Sequence, residues 1–406
     1  MVTSMAERMR EWRGPQILSF GFRPFFLFAG LWATLAMALW VVMLTGRLHL
    51  PTAFSPFDWH AHEFVFGYTS AVIAGFVLTA VPNWTGRLPV IGWPLGVLAL
   101  LWIIGRVAVL VSAWLPWWLA MAADLLLLVA FALMVLREVV AGKNWRNLPV
   151  AGLISLLALA NAAFHVEAAL GLPAAEGYGL RFALAVIVTL ISLIGGRIIP
   201  SFTRNWLAQR KAVRLPVPYA RPDAVILALS GLTLLLFVLL PDHAATGVLL
   251  VVAGLAHLWR QSRWQPLATG PEPLLWVLHL AYLLLALGFV SAGAGALDLV
   301  PQAAALHVWM AGAIGLMTLA VMGRAAYGHT GRALHAGPGL AGCYVALVLS
   351  VAARLAAGFL PGATGLLHLA ALLWVLAFGV FSAIFWPVLT RPRLARKPVS
   401  GQARTA

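Results

Sequence analysis

A chain of 406 residues that is 62% hydrophobic and 10% charged, with mean hydropathy +0.94, excludes a soluble domain and reads as a multi-pass membrane protein. The net charge of +15 does not point to nucleic acid, because the basic residues stand between apolar runs and not in a patch interleaved with aromatics. The single cysteine, Cys343, lies in an apolar run and excludes an internal disulfide, a CxxCH haem attachment and a thiolate cluster, so any metal needs histidine, methionine, carboxylate or backbone ligands.

The first 20 residues are too charged and too short of apolar length for a cleavable signal peptide, so the first span is expected to act as its own signal. Apolar segments of spanning length fall at 24–46, 58–81, 91–113, 116–137, 148–170 and 178–202. Six more fall at 222–240, 243–260, 272–294, 301–323, 337–359 and 364–389, with Pro, Gly and charges at the breaks. This predicts an all-α integral membrane protein with one twelve-helix domain over 24–390, an N-terminal tail 1–23 and a basic C-terminal tail 391–406. The two tails and alternate loops carry 22 of the 27 Lys and Arg, whereas the opposite loops carry only Arg47. Arg106, Arg181, Arg197 and Arg354 lie within spans, and the asymmetry predicts that both termini are cytoplasmic. Trp114, Trp117 and Trp118 fit an interfacial belt.

The second span opens on Trp59-His60-Ala61-His62-Glu63, and ionisable groups in lipid are costly and mark functional sites. Its pattern returns in the tenth span. His62, Gly67 and Thr85-Gly86-Arg87 are matched at identical offsets by His307, Gly312 and Thr330-Gly331-Arg332. The sixth span ends Pro200-Ser201-Phe202-Thr203, much as the second ends Pro82-Asn83-Trp84-Thr85. The third and eleventh carry Gly105-Arg106-Val107-Ala108 and Ala353-Arg354-Leu355-Ala356. The repeats predict three four-helix units; the plainer alternative is chance recurrence of small-residue and Pro-Thr endings.

Alternation of helix direction places His60, His62, His165, His307 and His368, with Arg106 and Arg354, in one outer layer. At 1.5 Å of rise per residue each lies within about 10–12 Å of the surface. Two histidines on different helices can clamp a non-covalent haem iron, and arginines can pair with its propionates. His60 and His62 stand about 200° apart on a regular helix, so one can face iron while the other faces a copper site or caps the helix. His165 and Met310 are further candidate metal ligands, Met310 standing three residues after His307, and Glu63 can orient an imidazole. Duller readings stand beside these: Met310 as core packing, His49 and His368 as interfacial groups, and Arg106 or Arg354 paired with helix carbonyls, Asp124 or Glu167. A second, inner layer holds His257 and His279, with His329 and His335 following. His279 and Tyr282, one turn apart, are expected to share a hydrogen-bonded site, with His279 a further candidate metal ligand.

At WHAHE (59–63), GFVLTAVPNWTGR (75–87), GGRIIPSFTRNWL (195–207), PLLWVLHLAY (273–282) and GRAAYGHTGR (323–332), the chain resembles the NnrS family over nearly its whole length. The resemblance implies a multi-pass bacterial inner-membrane protein containing haem b and copper, tied to nitric oxide, denitrification and nitrosative stress, with no established reaction. By match to the family's motifs, His60, His62, Glu63, Arg197, His279, His307 and His329 are the polar positions carried over. The helix plan also resembles the catalytic subunit of haem–copper oxidases, with histidines early in the second and tenth helices. It departs from that pattern in having no histidine in the sixth or seventh span, which argues against a standard oxidase or nitric-oxide reductase.

Three functions compete. One is a haem and copper protein that binds or handles nitric oxide, another is a secondary transporter without a redox cofactor, and a third is a divergent haem–copper redox enzyme. A haem absorbance band separates the transporter from the other two, and turnover of nitric oxide separates those two from each other.

Overall fold

The structure, a computed structural model, describes residues 12–360 and 362–394; the outer parts of both expected basic tails lie outside the described residues. Twelve long helices follow in chain order. They are α1 (Phe22–Leu44), α2 (Pro56–Thr85), α3 (Trp93–Leu110), α4 (Trp117–Ala141), α5 (Leu148–Ala169) and α6 (Tyr178–Gln209), then α7 (Arg221–Leu239), α8 (Ala244–Ser262), α9 (Pro273–Ala296), α10 (Gln302–His329), α11 (Pro338–Phe359) and α12 (Thr364–Thr390). No strand occurs among the described residues. Eleven of the twelve are long and apolar enough to cross a membrane. The exception is α8, whose 19 residues include His257, Arg260 and Gln261, and these lower its hydropathy.

Neighbouring helices pack pairwise around the molecule, and α12 closes the circuit on α1. Helices α2, α6 and α10 touch one another at the centre. Their apolar stretches are 78%, 67% and 72% buried and that of α9 61%, against 39% for α1, α4, α7 and α11, so the three central helices and α9 form the interior and those four face outward. Tyr68 of α2 and Thr318 of α10 share a hydrogen bond of 2.5 Å between their hydroxyls across this centre.

Each central helix contains a π-helical turn: Glu63–Tyr68 in α2, Ile191–Gly195 in α6 and Val308–Ile314 in α10. In α2 and α10 the turn starts at the residue after the matched histidine. These turns deepen the internal repeat, because π-turns are rare and here recur on every fourth helix. Gly86 and Gly331 close α2 and α10 with φ of +70° and +77°, a left-handed conformation that glycine adopts without steric cost.

Four helices run four or more residues past their expected ends, α4 among them, which stops at Ala141 and not at 137. The second and sixth spans were expected to stop at 81 and 202, but Pro82 and Pro200 lie inside α2 and α6, which continue to Thr85 and Gln209. The tenth span, expected to stop at 323, continues to His329. A proline near a helix C-terminus removes one hydrogen bond yet leaves the following turn intact, so it does not end these helices.

Candidate functional site

Ser55 caps α2 by accepting from the Asp58 N–H at 3.1 Å, and Pro56 occupies the first turn. The two turns that follow aim His60 and His62 at different neighbours, as their spacing requires. Two separate groups of polar side chains result.

His60 lies with α1, α10 and α11. Its ring stacks on Trp40 at 3.9 Å and 19°, with Phe64 at 4.7 Å, and its Nδ1 is buried without a partner. His307 and Arg354 are close enough for their charges to act on it. His307 Nδ1 lies 2.6 Å from the Ala303 carbonyl. A carbonyl only accepts, so Nδ1 carries the hydrogen and Nε2 keeps its lone pair, the form in which imidazole binds a metal. Arg354 Nη2 lies 3.3 Å from the same Nδ1, which cannot accept from it in this tautomer, and among the described residues Arg354 has no carboxylate partner. This group therefore offers two imidazoles with unpaired nitrogens beside a cation.

His62 belongs to a closed network between α2, α3, α4 and α5. Its Nδ1 pairs with Glu63 Oε1 at 3.1 Å, and its Nε2 lies 3.1 Å from both Asn161 Oδ1 and Asp124 Oδ2. Arg106 bonds both Glu63 oxygens at 2.7 Å and also pairs with Asp124. His165 Nε2 and Asn161 Nδ2 reach Asp124 Oδ2 at 3.2 and 2.7 Å, and Trp32 donates to Glu63 at 2.7 Å. All five titratable members are buried. With neutral imidazoles the formal charge is one cation against two carboxylates, so a proton on His62 or a bound cation balances the group, which matters greatly in a low-dielectric interior. One ligand atom each from His62, Asp124 and His165 falls within a 4.8 Å cluster. Gly67, inside the π-turn, makes this packing possible, since a Cβ there would stand 2.6 Å from Arg106 Nη1 and 2.7 Å from Glu63 Oε2. The Gly67 carbonyl accepts from Trp102 Nε1 at 2.9 Å.

The inner layer is a third group. Tyr282 does not bond His279; its hydroxyl lies 2.9 Å from His257 Nδ1 and accepts from Arg260 Nη1 at 2.8 Å. The expected pairing fails because α8 inserts His257 and Arg260 against α9. His279 Nε2 instead meets Thr203 Oγ1 at 2.9 Å, while its Nδ1 is buried without a partner. Arg260, counted among the loop cations in the charge-asymmetry argument, lies within α8 at 1% exposure, bonded to Asp223 at 3.0 Å and to the Ser192 carbonyl at 3.0 Å.

The remaining candidates stand apart. Arg106, expected as a partner for propionates, has its guanidinium committed to Asp124, a partner weighed as its duller alternative, and to Glu63, which was not. Arg197 donates to Asn147 at 3.1 Å. His329 packs between Phe20 and Phe22 at 5.4 and 5.6 Å. His368 bonds the Thr364 carbonyl of its own helix at 2.8 Å, and His335 pairs with Glu272 at 3.0 Å. Met310 lies in the π-turn of α10, where the α-helical offset that set it beside His307 no longer holds. Trp32, Trp40 and the Asp223–Arg260 pair were not singled out from sequence. Tryptophan near a helix end reads as belt, and only packing distinguishes a ring laid on a histidine.

No curated protein matches the chain. A family described as NnrS protein matches residues 16–393, which include all three groups and all twelve helices. On that match the chain belongs to the NnrS family.

Proposed function

We propose that this protein is a bacterial inner-membrane haem- and copper-binding protein acting in nitric oxide metabolism or in protection from nitrosative stress, with both termini cytoplasmic. The observation that carries the reading is that His60 and His307, from the repeated helices α2 and α10, each keep an unpaired ring nitrogen, with Arg354 3.3 Å from the His307 ring. Those three residues suit a non-covalent haem: two imidazoles as axial ligands and a guanidinium for a propionate. Haem iron would supply diatomic ligand binding and electron transfer. The chain's own part is to hold the imidazoles by the Trp40 stack and the Ala303 bond.

Copper is assigned to His62, Asp124 and His165. The donor set, two nitrogens and one oxygen, suits a borderline cation, and the group's missing positive charge favours one. Binding there requires His62 to release its bonds to Glu63 or Asn161.

The test is the absorbance spectrum of detergent-purified protein, oxidised and dithionite-reduced, beside a copper assay. A Soret band lost in His60→Ala and His307→Ala, and copper lost in His165→Ala, support the reading. A folded, colourless, metal-free protein overturns it and favours a secondary transporter. That second reading draws on the buried His62–Glu63–Asp124–Arg106 network, the kind of intramembrane charge cluster that also marks proton and ion paths.

A further inference from the structure

Between α5, α6 and α7 runs a lateral cavity of about 380 Å³ that none of the three groups above uses. It is lined by Gly152 and Leu156 of α5, Ser192 of α6, and Leu227, Ser230 and Gly231 of α7. Gly152, Leu156 and Gly231 are exposed on the outer surface of the helix ring, so the cavity opens sideways into lipid. Its size suits a ring with a short tail.

Two hydroxyls mark its inner wall. Ser230 Oγ donates to the Ile226 carbonyl at 2.7 Å and lies 2.8 Å from His257 Nε2. With its hydrogen committed, it accepts from Nε2–H; Nδ1 then accepts from the Tyr282 hydroxyl, which accepts in turn from Arg260. Every bond in that chain has one donor and one acceptor. Ser192 differs. It is 1% exposed, its carbonyl accepts from Arg260, and its hydroxyl has no partner. Thr189, also lining the cavity, bonds back to Ala185 at 2.7 Å, as serine and threonine in helices commonly do. Ser192 lies in the π-turn and makes no such bond. An O–H donor buried without an acceptor is costly, so the cavity lacks an acceptor oxygen beside Ser192.

Depth selects the source of that oxygen. Ser230 stands nine residues from either end of α7, about 13 Å of helix each way, which places it near the bilayer midplane. Glycerolipid ester carbonyls lie at the edge of a hydrocarbon core about 30 Å thick and do not reach that level. A membrane-dissolved ring bearing carbonyl oxygens does. We propose that this cavity binds the head of an isoprenoid quinone, with Ser192 donating to a ring carbonyl, Ser230 held as the opposite wall by His257, and the tail leaving between α5 and α7.

The test uses the full chain in nanodiscs of synthetic phosphatidylcholine and an azido-benzoquinone carrying one isoprene unit, photolysed and mapped by peptide mass spectrometry. Saturable labelling of α6 and α7 peptides is expected, displaced by the unmodified benzoquinone and not by a plain alkane of equal length. Gly231→Leu should abolish it. A Cβ at Gly231 meets no atom within 4 Å, so the leucine fills the cavity without disturbing the fold. Gly152→Leu, equally unobstructed, closes the same cavity from the α5 wall if the first variant proves unstable. Ser192→Ala should weaken labelling about three- to tenfold while leaving the melting temperature equal or higher, because it removes an unpaired buried donor. Labelling that does not saturate, that persists in both leucine variants, or that an alkane displaces equally overturns the proposal. Haem content does not enter the readout, so the result is independent of the reading above.

Discussion

The His60–His307 group and the His62–His165 group take histidines two residues apart on α2 yet treat their imidazoles in opposite ways. In the first, each imidazole keeps an unpaired nitrogen, and aromatic rings and one arginine lie alongside. In the second, both nitrogens of His62 face carboxylate or amide oxygens, and two carboxylates share one arginine. The first group leaves nitrogens open, as the proposed haem site requires. The second has its carboxylate oxygens met within the protein but is one positive charge short with neutral imidazoles, so its stability depends on a proton or a cation that matches its charges.

The sharpest way to break this contrast is to exchange the histidines. His60→Ala and His307→Ala should each remove the haem absorbance almost entirely, whereas His62→Gln should retain it; loss of the band in His62→Gln with retention in His307→Ala would reverse the assignment. Next in size is Arg106→Met, which leaves Glu63 and Asp124 buried without their cation. Thermal unfolding in detergent should show a loss of about 3–5 kcal/mol. Adding Asp124→Leu should recover part of it, and equal or worse stability in the double variant would show that the network is not charge-limited. Gly67→Ala is smaller: a Cβ 2.6 Å from Arg106 Nη1 forces the guanidinium to shift, at about 1–3 kcal/mol, while Gly152→Ala, in open space, should cost nothing. The smallest effect belongs to Trp40→Leu, which removes the stacked ring from His60 and should move the absorbance maximum without lowering haem content. An unmoved band would detach Trp40 from the site.

Much of this arrangement can be read from residues alone, for identifiable reasons. The twelve helices follow from apolar run length and the Lys and Arg asymmetry, both averages over many residues. The divergence of His60 and His62 follows from helical angle. The identical offsets from His62 and His307 to their closing Thr-Gly-Arg pointed to equivalent helices, and the π-turns after both histidines give that equivalence a structural form. The turns themselves were not legible, because a π-turn is a choice of hydrogen-bond partner and leaves no fixed composition. Arg260 was misplaced for a related reason. It stands near the end of a span beside Arg263, where basic residues ordinarily mark a loop, and only its bond to Asp223 of α7 shows that it points inward. Asp124 as the hub of the second group needed the packing of α4 on α3 and α5, which no single helix reports.

Because a π-turn holds more residues than an α-turn, it sets the rotational phase between the two ends of its helix. In α2 the segment carrying His60 and His62 is turned relative to the segment carrying Tyr68 and Thr79, and α6 and α10 are each turned at their own π-turn. Winding the same residues of 63–68 as ordinary α-helix would rotate the helix start by about 100° relative to the body. The histidines would then exchange neighbours while the span stayed long enough to cross the membrane. The chain therefore carries a form of indexing that hydropathy does not register: losing the wide turn at any of these three points, with no residue added or removed, would leave topology intact and scramble which side chains meet.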